Sequence, residues 1–114
     1  MRRYMLRVDQ LVNEIYGTVK RRASKKGLEF SLSKTLIYQG LRTGRCAQTG
    51  IPFSYEANSP WKPSLDRIDS RLGYTKENVQ YVCVMYNYCK NDFSDEEVRD
   101  MCEALVKFQG GASG

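Results

Sequence analysis

The chain contains no histidine among its 114 residues. That absence excludes a Ser-His-Asp triad, a Cys-His dyad, any His-ligated zinc site and imidazole acid–base work. Chemistry is left to carboxylates, amides, Lys, Arg, Tyr, Cys or a metal held by oxygen. Long apolar runs are missing too: nothing approaches the ~18 residues of a membrane span. The opening Met-Arg-Arg-Tyr-Met-Leu-Arg has no apolar stretch of the length a secretory signal needs. The expectation is a cytoplasmic chain with reduced thiols and no membrane partner. Four cysteines, Cys46, Cys83, Cys89 and Cys102, include no Cys-x-x-Cys pair. A four-thiolate zinc site would therefore need four scattered thiols to converge. There is no internal repeat, and the one low-complexity run, residues 110–114, is expected to be a flexible tail.

What is present is a basic, moderately apolar chain of one domain's length. It carries 18 Lys plus Arg against 13 Asp plus Glu, a net of +5, and is 41% hydrophobic. The charge is unevenly placed. Residues 1–45 hold 11 basic and three acidic side chains, a net of +8; residues 46–114 hold seven basic and ten acidic, a net of −3. The basic part contains Arg2, Arg3 and Arg7 and the cluster Lys20, Arg21, Arg22, Lys25, Lys26. Such a density attracts polyanions with a salt-sensitive affinity, and is equally compatible with a solvated helix face.

Periodicity gives the elements. Val8, Leu11, Val12, Ile15 and Val19 recur at three- and four-residue steps, which predicts an amphipathic helix over about 5–26, stopped by Gly27. Leu28 to Leu32 alternate as a short strand. Ser33 caps a second helix over 34–41. Strands are expected at 64–69 and 79–82, and a helix at 83–91. Ser94 and Glu97 form a capping box that opens a last helix to about Phe108, with Val98, Met101, Cys102, Leu105 and Phe108 on its buried stripe. Tyr74, Tyr81, Tyr86, Tyr88 and Trp61 are expected in core or loop packing rather than as base-stacking platforms.

The stretch Arg45 to Asn91 resembles an HNH endonuclease of the His-Me finger (ββα-metal) group, of the phage and mobile-element type. The resemblance is carried by Cys46 with Thr49-Gly50, the string Pro63-Ser64-Leu65-Asp66-Arg67-Ile68-Asp69, Gly73-Tyr74-Thr75, Glu77-Asn78-Val79-Gln80, Cys83, Asn87 and Lys90. It implies an α+β fold: a small ββα-metal module at 45–109 with a C-terminal helix, after a basic helical arm at 1–44, in one compact domain. It also implies a metal-dependent endonuclease acting on nucleic acid, with DNA the expected partner. Asp66 and Asn87 would ligate Mg2+ or another divalent cation, and Asn78 would hold the site's geometry. Cys46 and Cys83 match the first members of two zinc pairs whose second members are Thr49 and Tyr86 here, so no structural zinc is expected.

The departure from the family is Arg67, which stands where the water-activating histidine usually stands. Arginine, with a pKa above ~12, is no base. Its expected use is to clamp the scissile phosphate bidentately. The base would then be metal-bound hydroxide, Asp69 or a group elsewhere. Lys90, three residues after Asn87, would touch a phosphate beside the ion, while Lys20, Arg21, Arg22, Lys25 and Lys26 would grip the backbone. Read without the resemblance, Arg67 and Asp69 form a surface ion pair, and Asp66 caps a loop or pairs with Arg71. The alternative function is a catalytically inactive HNH-derived nucleic-acid-binding module, or an accessory protein of a phage or mobile element.

Overall fold

The computed structural model describes residues 5–112; Arg2 and Arg3 of the expected arm and the last two residues of the expected tail lie outside that range. Helix α1 (Val8–Lys26) carries Leu11, Val12, Ile15, Val19 and Ala23 inward, as its spacing requires, and Gly27 closes it in the left-handed conformation at φ 67°. Helix α2 (Lys34–Leu41) is capped by Ser33, whose Oγ accepts the Leu36 N–H at 3.1 Å. Ile37 and Leu41 of α2 join the α1 stripe, Leu32, Leu65 and Tyr74 in the main core.

Strands β1 (Pro63–Arg67) and β2 (Val79–Cys83) form a two-stranded antiparallel sheet in which Asp66 faces Gln80 and Arg67 faces Val79. Helix α3 (Val84–Lys90) follows β2 without a loop, which completes a β–β–α unit. Helix α2 sits directly on β2: a Cβ added at Gly40 would run into the Tyr81 ring. The approach explains why the smallest residue stands there. No helix is long and apolar enough to cross a membrane among the described residues.

Two expectations need correction. The segment 28–32 makes no strand; it contributes one parallel bridge, Phe30 to Tyr74, held by the Tyr74 N–H to Glu29 O at 2.8 Å and the Ser31 N–H to Tyr74 O at 3.1 Å. Alternation marked its inward residues, but it lies beside a loop rather than a strand. Helix α4 (Asp95–Ala112) has the reciprocal Ser94–Glu97 box and buries Val98, yet Met101, Cys102, Leu105 and Phe108 are exposed. The helix also runs four residues past Phe108. Its spacing reports which face is apolar, not whether anything lies against that face.

Candidate active site

The β–β–α unit gathers the conspicuous polar residues because α3 folds back across β1. Asp66 is buried, and its Oδ2 accepts from Lys90 Nζ at 2.6 Å and Gln80 Nε2 at 2.9 Å. Lys90 has 0% exposure. Its ammonium also donates to the carbonyls of Arg67 at 2.7 Å and Ile68 at 3.3 Å, and lies 3.6 Å from Asp95 Oδ1. Gln80 Nε2 bridges the two carboxylates, reaching Asp95 Oδ1 at 3.0 Å. Its Oε1 accepts from Gln48 at 2.8 Å, which fixes the amide's orientation. The Tyr86 hydroxyl donates to Asp95, and burial, with this bond next, pushes that phenol above its ordinary pKa. The network is complete: among the described residues no buried side-chain polar atom lacks a partner.

This corrects the expectation for Lys90. Its side chain runs into the body rather than to the surface, and an ammonium with no exposure, committed to Asp66 and two carbonyls, has no line to a phosphate. The pairing expected of Asp66 with Arg71 is made by Asp69 instead. The Asp69 carboxylate takes Arg71 Nε at 3.0 Å and Nη2 at 2.9 Å. The hydrogen bonds from Arg71 hold Asp69 well below the usual carboxylate range, at about 2. A carboxylate that acidic is a poor base, and Asp69 does not line the cavity described below.

Arg67 is placed by its own loop. Its Nη1 donates to Ser70 O at 2.6 Å and Leu72 O at 3.0 Å, and its guanidinium lies 5.0 Å from the centroid of the Tyr74 ring. Asn78, expected to support the site, is bonded to the β1–β2 connection. Its Oδ1 accepts the Asp69 N–H at 2.9 Å, and its Nδ2 donates to the carbonyls of Asp69 at 3.0 Å and Gly73 at 2.9 Å. One side chain thus pins the whole β1–β2 connection. Asn87 Nδ2 donates to Ser64 Oγ at 2.7 Å.

Asp66, Arg67 and Asn87 line a single cavity of about 810 Å³ together with Arg22, Lys25 and Lys26 from the last turns of α1. The basic cluster therefore divides. Lys20 lies over the Tyr16 ring at 5.6 Å and Arg21 returns to the Gly17 carbonyl at 3.3 Å, while the other three face the strand carboxylate. Among the described residues no three His, Cys, Asp or Glu side chains converge as a metal cluster. One carboxylate and one amide on a common cavity suit a hard cation that keeps most of its waters. Cys46 and Cys83 are both buried around Val82, packed as small hydrophobes, and burial pushes the Cys83 thiol up.

Sequence reading missed Asp95 and Gln80. Asp95 looks like an ordinary negative residue in the first turn of α4, and only the return of α4 toward β2 makes it the second carboxylate of the network. Gln80 lay within the quoted motif, and its position opposite Asp66 in the register was the available signal.

No protein-family model matches the chain. It is 30% identical over 92 residues to an uncharacterized 29.0 kDa protein from the dda-modA intergenic region of Enterobacteria phage T4, covering 81% of this chain and 35% of that protein. It is 27% identical over 103 residues to an uncharacterized protein of Acanthamoeba polyphaga mimivirus, covering 90% of this chain and 18% of that one. The chain thus spans only about a third or less of the length of these viral relatives. Among solved structures it is similar to the rare-cutting HNH restriction endonuclease PacI, with a TM-score of 0.59 and 21% identity, over 90% of this chain and 81% of that chain. Helix order, the two-stranded antiparallel sheet and this likeness agree: the chain has an HNH-like α+β fold.

Proposed function

We propose that the chain is a metal-dependent endonuclease that hydrolyses phosphodiester bonds of DNA. The observation that carries the reading is the convergence of Asp66, Arg67 and Asn87 with Arg22, Lys25 and Lys26 on one cavity of an HNH-like fold. Hydrolysis needs neutralised phosphoryl oxygens, a nucleophilic water and help for the leaving oxygen. Arg67 bonds its own loop through Nη1 alone, so the donors on Nε and Nη2 serve the scissile phosphate. Arg22, Lys25 and Lys26 hold the flanking phosphates without reading sequence. Asp66 and Asn87 would hold Mg2+ or a similar ion, which supplies Lewis acidity and an acidified water in place of a histidine base. Asn78 keeps in shape the loop whose carbonyls Arg67 bonds. The phage and mimivirus relatives support extending the proposal to phage or mobile-element biology, with the cytoplasm as the expected compartment.

One observation favours the second reading, a catalytically silent nucleic-acid-binding module. The Lys90 ammonium already sits 2.6 Å from the carboxylate that would hold the metal. Plasmid incubated with the protein and Mg2+ or Mn2+ separates the two. The endonuclease reading expects nicked or linear product that disappears with EDTA and with Asp66→Asn. Intact plasmid at saturating protein in both metals transfers the assignment to the silent module, and cleavage that survives Asp66→Asn removes the site.

A further inference from the structure

Tyr88 is the most exposed large side chain with apolar bulk among the described residues, at 79%. It stands on α3 immediately after Asn87, and makes no hydrogen bond or aromatic-ring contact among the described residues. It forms a wall of three hollows on this side of the molecule: the 810 Å³ cavity, a neighbour of about 210 Å³ floored by β1, and a third of about 460 Å³ beside the 57–60 loop. Arg22, Lys25 and Lys26 of α1 line the first of these with it. A bare aromatic ring and a row of cations therefore share one cleft.

That pairing matches the two chemistries of a nucleic-acid strand, phosphate on one edge and a flat π-face on the other. In an intact duplex each base face is covered by its neighbours, and a protein ring reaches one only by unstacking the step. An unpaired base needs no such opening. Resting on the nucleic-acid reading above, we infer that Tyr88 is a stacking platform, and that this cleft takes single-stranded or locally unpaired nucleic acid with one base on the Tyr88 ring and its phosphates on Arg22, Lys25 and Lys26. The expectation that Tyr88 packs in the core or a loop is overturned by its exposure.

The test is fluorescence anisotropy with a labelled single strand, the same strand with abasic linkers replacing its bases, and the matching duplex. Tyr88→Ala is expected to weaken binding of the base-bearing single strand about tenfold, within the range for loss of one stacked base. Tyr88→Phe, which keeps the ring, should bind as the parent does. Parent and Tyr88→Ala should bind the abasic strand alike, and the slope of log affinity against log salt should not change, since no phosphate contact is lost. Circular dichroism of Tyr88→Ala should match the parent, as an exposed side chain contributes nothing to the core. Salt-sensitive binding that Tyr88→Ala leaves unaltered overturns the stacking role and leaves the nucleic-acid reading standing. An equal loss on the abasic strand overturns it as well. A parent protein that binds neither strand nor duplex at low salt overturns both.

Discussion

Replacing Lys90 by methionine removes the charge and keeps most of the volume. In the structure the ammonium holds one carboxylate at 2.6 Å and two strand-end carbonyls, and stands 3.6 Å from a second carboxylate. Without it, Asp66 and Asp95 face each other across a single Gln80 amide group that already serves both. Breaking a buried ion pair from one side costs about 3–5 kcal/mol, because a charge is left buried and uncompensated. Against a total stability of about 5–15 kcal/mol that is a large fraction. At roughly 4–8 °C per kcal/mol for a domain near this size, Lys90→Met should lower Tm by about 12–40 °C. Thermal and urea unfolding read the loss. The double variant Asp66→Asn/Lys90→Met should be less destabilised than the two singles together, by about 1–3 kcal/mol of coupling. A divalent ion should also restore part of the loss in Lys90→Met, since it enters the gap the ammonium leaves. An ion at tenfold its Kd contributes about 1.4 kcal/mol. A Lys90→Met protein within about 1 kcal/mol of the parent would refute the reasoning, since a cost that small belongs to a surface pair.

The cavity and its supports give four further expectations. Asn78→Ala removes one acceptor and two donors from the β1–β2 connection and should cost about 2–3 kcal/mol in urea unfolding, while Asn78→Asp should recover little because both carbonyls stay unsatisfied. Asp69 gains from Arg71 only while ionised, so its contribution to stability is present above the ordinary carboxylate pKa and fades as pH falls toward about 2. Arg71→Ala should bring the Asp69 titration seen by carboxyl NMR up toward the ordinary range; an unmoved midpoint would contradict the assigned cause. Neutralising Arg22, Lys25 and Lys26 together should flatten the salt slope of oligonucleotide binding by up to about three contacts' worth, whereas Lys20→Gln with Arg21→Gln should change it little, which gel shifts across a salt series would resolve. Mg2+ at constant ionic strength should tighten oligonucleotide binding by the parent and not by Asp66→Asn, because phosphate supplies negative charge that Asp66 alone does not; equal weakening in both would count against a shared metal and phosphate site.

How far the sequence was legible depends on the range of the signal. The α1 stripe, the Ser33 and Ser94 caps, and the β1–β2–α3 order are local patterns, and each appears within a residue or two of its expected place. The failures all depend on what lies across from an element. Met101, Leu105 and Phe108 have the spacing of a buried stripe, but of the described α4 residues it is Val98, near the opening of the helix, that is buried. Asn87 and Lys90 are one helical turn apart and were read as one face. Asn87 does line the cavity, while the longer lysine stem dives beneath β1. The division of the basic cluster was equally invisible in composition, since a Tyr16 ring and a Gly17 carbonyl decide which cations are left for the cavity.

The missing histidine and the buried lysine belong to one charge arrangement. If Arg67 stands in the family's histidine position, as the resemblance implies, it puts a full positive charge where an imidazole would be largely neutral at pH 7. Lys90 adds another from α3. Asp66 and Asp95 both lie against the Lys90 ammonium, whereas Arg67 pairs with the loop carbonyls of Ser70 and Leu72. Pairing and complete hydrogen bonding allow this charge to be buried, with every buried side-chain polar group satisfied among the described residues. Under the proposed metal-dependent reading, an entering divalent cation would have to displace Lys90 from Asp66 or share the carboxylate with it, and Arg67 would repel the ion. On the same reading, a phosphodiester held by Arg22, Lys25 and Lys26 would pair with Arg67 and lower that repulsion. Under that reading the site would bind metal most tightly with nucleic acid already in the cleft, so strand binding rather than metal loading would control cleavage.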